Sequence, residues 1–155
     1  MSLVVYVGGA RSGKSRLAVE RARAEGRPVT FIATGEAGDE EMAERIGRHK
    51  AERPVGWRTI EEPVEVGRAL ASVPAGDTVV VDCLSLWVAN GGDGDVPQAR
   101  AGLTIAVTNE VGLGIVPDNA LARAYRDELG RVNAAWVDAA DEAYLVVAGR
   151  ALRLA

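Results

Sequence analysis

The chain has 155 residues, 48% of them hydrophobic and 26% charged, with a formal net charge of −4. That length suits one ordinary domain with one core and is too short for two. The charge provides no basic footprint for nucleic acid, and the single cysteine, Cys83, excludes an internal disulfide or a cysteine-based zinc site. The opening MSLVVYVGG carries too short an apolar run for a signal peptide or a membrane span. The expected compartment is the reducing cytoplasm.

In chain order, residues 3–7 read as a buried strand and 14–24 as a helix. A second apolar run covers 29–34 and leads to a helix over about 39–52. Residues 57–63 (WRTIEEP) read as a short extended segment with exposed acids, and 63–73 as a weaker helix. Buried strands follow at 78–81 and 103–108, then a long helix over 118–141 and a last strand at 143–148. Continuous apolar strands separated by helices predict a parallel sheet covered on both faces. The expectation is one α/β domain of three layers over residues 1–155. Residues 90–95 (NGGDGD) have the composition of a turn or loop. The connection over 86–102 only narrowly provides the dozen residues that a parallel crossover needs. A compact crossover, or a loop around 91–95, is expected there.

The run Gly8, Gly9, Ala10, Arg11, Ser12, Gly13, Lys14, Ser15 matches G-x-x-x-x-G-K-[ST]. It follows the first strand and opens the first helix. Glycines let the backbone curl so that successive N–H groups face a phosphate, and the helix N-terminus adds partial positive charge. Lys14 would reach the outer phosphates of a purine nucleoside triphosphate, and the Ser15 hydroxyl would ligate Mg²⁺. The competing reading, a glycine-rich turn with an incidental lysine, does not explain a complete match in this position.

TVVVDC ends a buried strand at Asp82. A carboxylate there, beside a phosphate loop, would hold the metal directly or through water; alone, it could equally cap the next helix. In GDEEMAERIGRHKAERP, acids occupy the first turn, as a helix N-terminus prefers. Met42, Ile46, His49 and Arg53 share one face by their spacing. His49, the only histidine, is flanked by Arg45, Lys50 and Arg53, company that suits a phosphate-bearing ligand. The plain alternative is a half-buried, hydrogen-bonded helix-end histidine. NEVGLGIVPDN at 109–119 is a loop after a strand, where parallel α/β sheets bind ligands. Arg123, Arg126, Asp127 and Arg131 read most simply as a solvated helix face.

GGARSGKS, IATGEAGDEEMAERIGRHKAERP, WRTIEEP, VDCLSLWVAN, TNEVGLGIVPDNALARAYRDELGRVN and AYLVVAG, in this order, resemble the bifunctional adenosylcobinamide kinase / adenosylcobinamide-phosphate guanylyltransferase family of cobalamin biosynthesis. The resemblance covers nearly the whole chain, and NEVGLGIVP and RI-x-x-H-K-x-x-RP are its most specific parts. It implies a RecA-like P-loop fold and a trimer. It also implies two reactions: phosphorylation of adenosylcobinamide by ATP or GTP, then transfer of GMP from GTP to adenosylcobinamide phosphate. In the family, the second reaction passes through a GMP-histidine, and the matching residue is His49. Nucleotide contacts carry over to residues 8–15, to Ala33, Thr34 and Gly35, to Lys50, Ala51, Glu52 and Arg53, and to Glu61 and Asp82. Family members normally have a longer stretch, including a helix, between DCLSLWVAN and NEVG; here eighteen residues separate Asn90 from Asn109.

Two other readings use the same phosphate loop. A P-loop kinase of another small alcohol would need Asp82 but not His49. A nucleotide-binding module without transfer activity would need neither reaction.

Overall fold

The computed structural model describes residues 2–155; Met1, the start of the opening run, lies outside them. Seven strands form one sheet: β1 (Ser2–Gly8), β2 (Val29–Ala33), β3 (Arg58–Glu61), β4 (Thr78–Asp82), β5 (Leu103–Asn109), β6 (Glu142–Val147) and β7 (Arg150–Arg153). The helices between them are α1 (Lys14–Ala24), α2 (Glu40–Glu52), α3 (Val66–Ser72), α4 (Leu84–Ala89) and α5 (Ala120–Ala139). The strand order is β3-β2-β4-β5-β1-β6-β7. Every pairing is parallel except β6 with β7.

Both faces of the sheet are covered, which explains why its central strands are apolar without alternation. Leu3, Val5 and Val7 of β1 point into a core with Val66 and Leu70 of α3, Leu84 and Trp87 of α4, and Val132 and Trp136 of α5. Val4 and Tyr6 point the other way, into a core with Ala18 and Ala22 of α1 and Phe31 of β2. The small alanines let α1 lie close on the sheet. On α5, Leu129, Val132, Asn133 and Trp136 follow the i, i+3, i+4, i+7 spacing of one buried face. This is the three-layer α/β arrangement expected, related to P-loop folds.

Helix ends follow their caps. Asp39 accepts the Met42 N–H at 2.7 Å to start α2, and Asn119 accepts the Ala122 N–H at 2.8 Å to start α5. The segment 57–63 contains β3; its Glu61 is exposed as expected, whereas Glu62, just beyond the strand, is only partly exposed.

Two elements were not foreseen. The short helix α4 begins where the Cys83 thiol accepts the Leu86 N–H; its apolar run reads as a strand extension as easily as a helix. The strand β7 is antiparallel and exposed throughout, so it has no apolar pattern to announce it. A tight turn at Ala148 (φ 50°) and Gly149 (φ 74°) connects it to β6.

The connection after α4 is a compact crossover without a further helix. Trp136 Nε1 donates to the Gly94 carbonyl at 3.0 Å, and Arg100 donates to the carbonyls of Asp77 and Pro74 at 3.0 and 2.7 Å. A Cβ at Gly94 would fall 2.4 Å from Val132 Cγ2, so only glycine lets the chain pass this close to α5.

Candidate functional site

The loop of residues 8–15 joins β1 to α1 at the carboxyl end of the sheet. Gly8 is locked, because a Cβ there would meet Ser12 Oγ and the Val146 carbonyl, each at 2.6 Å. Gly13 adopts φ 97° immediately before α1, a conformation that other residues avoid. No side chain caps α1, and its first turn carries no acid. Its leading N–H groups therefore stay available to an anion. Gly9 borders open space. Lys14 is buried at 9% exposure and its Nζ curls back to the Gly9 carbonyl at 3.0 Å, spanning the loop. Burial lowers the pKa of Lys14, opposed by Cys83 and Asp82. Ser12 Oγ is buried with no partner among the described residues.

Asp82 ends β4, two strands from β1, and lies at the floor of the same edge. Protein surrounds its carboxylate closely while leaving partial contact with solvent, as a cleft floor does. Burial raises its pKa; the nearby Ser15 hydroxyl, then His49, Lys14 and Arg53, oppose the rise. A hydroxyl and a carboxylate side by side are hard oxygen donors of the kind that Mg²⁺ takes. Water and substrate phosphates usually supply the rest of its shell. Among the described residues no group of three or more His, Cys, Asp or Glu forms a ready-made cage, and Mg²⁺ does not require one.

Helix α2 brings the second set of residues to this edge. It contributes no buried residue; Ile46 rests against the segment after β2, where a Cβ on Gly35 would meet it at 3.3 Å. His49 is exposed rather than half-buried. It is near enough to Asp82 to act on its charge. Arg53 stacks over the Phe31 ring at 4.2 Å and donates to Thr59 Oγ1 at 3.2 Å. Its Nε is buried with no partner among the described residues, and burial lowers its pKa. Lys50 pairs with Glu61 at the end of β3. Lys50, Arg53, Trp57, Thr59 and Glu61 line an open cleft of about 590 Å³ beside α2.

A polar chain holds the strand ends in place. The Thr34 hydroxyl accepts the Cys83 N–H at 2.9 Å and donates to its carbonyl at 2.7 Å. The Asn90 amide donates to the Thr34 carbonyl at 2.7 Å. The Ser85 hydroxyl accepts from Asn109 Nδ2 at 2.9 Å, and Thr108 donates to Asn133 Oδ1 at 2.6 Å. Cys83 is buried within this chain, and burial raises its thiol pKa to about 11, so it stays protonated.

The structure thus gathers Gly8, Gly9, Ala10, Arg11, Ser12, Gly13, Lys14, Ser15, His49, Arg53 and Asp82 at one edge. Lys50 and Glu61 border the adjoining cleft. Ala33 is level with both Asp82 and Glu61 in the sheet. Thr34 is fully buried, with its hydroxyl, N–H and carbonyl all used inside the fold, so that of the two only Gly35 reaches the rim. Ala51 and Glu52 are exposed on α2. Arg131 and Asp127 lie on a solvated face as expected, whereas Arg123 and Arg126 are partly buried, Arg123 donating to the Pro117 carbonyl at 2.8 Å. Sequence reasoning missed the Phe31 platform under Arg53 and the turn at Gly149, whose N–H donates to the Ser12 carbonyl. Neither has a signal in the linear pattern.

The chain matches the family described as cobinamide kinase / cobinamide phosphate guanyltransferase over residues 4–100 and 94–154. The bifunctional adenosylcobalamin biosynthesis protein CobP of Pseudomonas aeruginosa is 42% identical over 160 residues, covering 94% of this chain and 92% of the relative. The corresponding CobU proteins of Salmonella typhimurium and Escherichia coli are 38% and 36% identical over 180 residues, covering 98% of this chain and 99% of each relative. Those alignments are longer than the chain, so the relatives carry additional residues. The family match breaks into two segments within residues 94–100, in the compact crossover. The chain belongs to the cobinamide kinase / cobinamide phosphate guanyltransferase family.

Proposed function

We propose that this chain phosphorylates the aminopropanol hydroxyl of adenosylcobinamide with ATP or GTP. It then transfers GMP from GTP, through a covalent GMP on His49, to the adenosylcobinamide phosphate, giving adenosylcobinamide-GDP and pyrophosphate. The observation that carries the reading is that His49, Lys14 and Arg53, from two separate segments, all lie near enough to the Asp82 carboxylate to act on its charge. A histidine on one helix and the lysine of a glycine-rich loop on another thereby share one reaction edge.

The nucleotide phosphates would lie along Gly8–Gly13, meeting the uncapped N-terminus of α1, Lys14 and the unpartnered Ser12 hydroxyl. Ser15 and Asp82 would hold Mg²⁺, which supplies charge neutralisation on the phosphates when bound. Neutral imidazole is a competent nucleophile, and an exposed His49 can reach an α-phosphorus from the solvent side. Arg53, with an unused Nε, would stabilise charge developing on the phosphate. Lys50, Glu61 and the rim at Ala33–Gly35 would meet the nucleoside.

A homo-oligomer, a trimer by resemblance, is supported by the exposed apolar side chains Leu113, Ile115, Leu121 and Leu152. The described helices include none long and apolar enough to cross a membrane, and a reducing cytoplasm is the proposed compartment.

The test is covalent labelling. With α-labelled GTP and Mg²⁺, the peptide containing Arg48, His49 and Lys50 should retain label that acid removes and alkali does not, as a phosphoramidate requires. His49→Ala should abolish both label and guanylyl transfer while leaving the kinase reaction. A folded His49→Ala protein that transfers GMP at the parent rate would refute the covalent route.

A further inference from the structure

The kinase reaction needs somewhere for the proton of the substrate hydroxyl to go, and the strand order indicates where. β5 lies between β4, which ends in Asp82, and β1, which leads into the glycine-rich loop. Val107 is level with Asp82 and Asn109 is level with Gly8. The next residue, Glu110, donates its N–H to the Gly8 carbonyl at 3.0 Å. Its backbone is therefore tied to the first residue of the loop, at the carboxyl end of a strand that lies between the strand of the loop and the strand of Asp82. The first residues beyond the neighbouring strands β4 and β6 are Cys83 and Ala148, neither of which is a carboxylate.

Glu110 is only partly buried, and one carboxylate oxygen accepts the Gly112 N–H at 2.7 Å. No Lys or Arg pairs with it among the described residues. Asp82, by contrast, lies close to Ser15, Lys14 and Arg53, and Glu61 is paired with Lys50. A carboxylate carried on backbone tied to a phosphate-binding loop, and paired with no Lys or Arg among the described residues, is left free to serve the reaction. Accepting a proton from an attacking hydroxyl is the role that carboxylates fill in other phosphoryl transfers.

We propose that Glu110 is the general base of the kinase step. The substrate hydroxyl oxygen forms a bond to the γ-phosphorus as the bond from that phosphorus to the β,γ-bridging oxygen breaks. The bridging oxygen leaves with the electron pair on the nucleoside diphosphate, and the hydroxyl proton passes to the Glu110 carboxylate. Guanylyl transfer starts from a phosphate that is already anionic, so it has no such proton to remove.

Glu110→Gln separates the two reactions, because a glutamine carbonyl can still accept the Gly112 N–H. Kinase turnover should fall by about 10²–10⁴-fold, the usual contribution of general base catalysis. GTP affinity and GMP transfer to supplied adenosylcobinamide phosphate should be unchanged. Undiminished kinase turnover would overturn the assignment, and so would parallel loss of both reactions with GTP affinity, which would mark a structural role. A parent protein that does not phosphorylate adenosylcobinamide would overturn the kinase reading itself, and the assignment with it. Should Glu110→Gln fail to fold, Glu110→Ala with added formate decides: restored kinase turnover supports the role, and a folded but unrescued variant overturns it.

Discussion

The Gly149 N–H donates to the Ser12 carbonyl at 2.7 Å, so the turn between β6 and β7 braces the glycine-rich loop from behind. The brace runs both ways, since Arg16 of α1 donates to the Gly149 carbonyl at 3.3 Å. Gly149 holds φ 74°, and a Cβ there would meet only the tip of Arg16 at 3.7 Å. The obstacle to substitution is thus backbone conformation rather than space.

Gly149→Val should expose that strain. A β-branched residue at positive φ costs about 1–3 kcal/mol, which lowers Tm by roughly 2–12 °C in a domain of this size. Triphosphate affinity should fall too, because the Ser12 carbonyl loses its fixed partner. Thermal unfolding and calorimetry measure both, and a variant with parental values in each would show that the brace is incidental.

Lys14→Ala removes the charge spanning the loop from its interior. Loss of charge-assisted hydrogen bonds to the outer phosphates is worth about 1.5–3 kcal/mol, so GTP should bind about 10–100-fold more weakly. Both the kinase and the guanylyl transfer should decline. Unchanged GTP affinity by calorimetry would remove the loop from the nucleotide site.

Glu142 provides a pH-dependent contribution away from the site. Its carboxylate accepts from the Tyr144 hydroxyl at 2.6 Å and from Arg21 at 3.2 and 3.3 Å. The Tyr144 bond, then that of Arg21, holds its pKa below the ordinary glutamate value. A carboxyl depressed on folding contributes stability that is complete above the unfolded pKa, about 4.3. That contribution is lost as pH falls through the lower folded value. Glu142→Gln should therefore be less stable than the parent at neutral pH, and the gap should close as pH falls below about 4. Thermal unfolding across pH 3–7 tests this, and a gap independent of pH would refute it.

Much of this protein is legible in its sequence because the signals are local. The loop over residues 8–15 declares itself by glycine spacing, and Gly13 at φ 97° is the conformation that the spacing requires. Buried strands such as β1 and β5 show as unbroken apolar runs because helices cover both faces. α2 and α5 start at Asp39 and Asn119, whose side chains accept the N–H groups that a helix start leaves open. The ordered motifs shared with the family also imply the two reactions.

Only the tertiary structure decides which distant residues meet. Glu110 could be read as one acid in a glycine-rich loop until the strand order put β5 between β4 and β1. Phe31 becomes a platform for Arg53 only when β2 passes beneath the end of α2. Thr34 spends its hydroxyl on Cys83, forty-nine residues away in the chain. The exposed strand β7 has no hydrophobic periodicity to betray it; its place is set by pairing with β6. The physical reason is common to all four. Local sequence governs backbone conformation and which side is apolar, whereas contacts between remote segments depend on sheet order and register, which no single segment encodes.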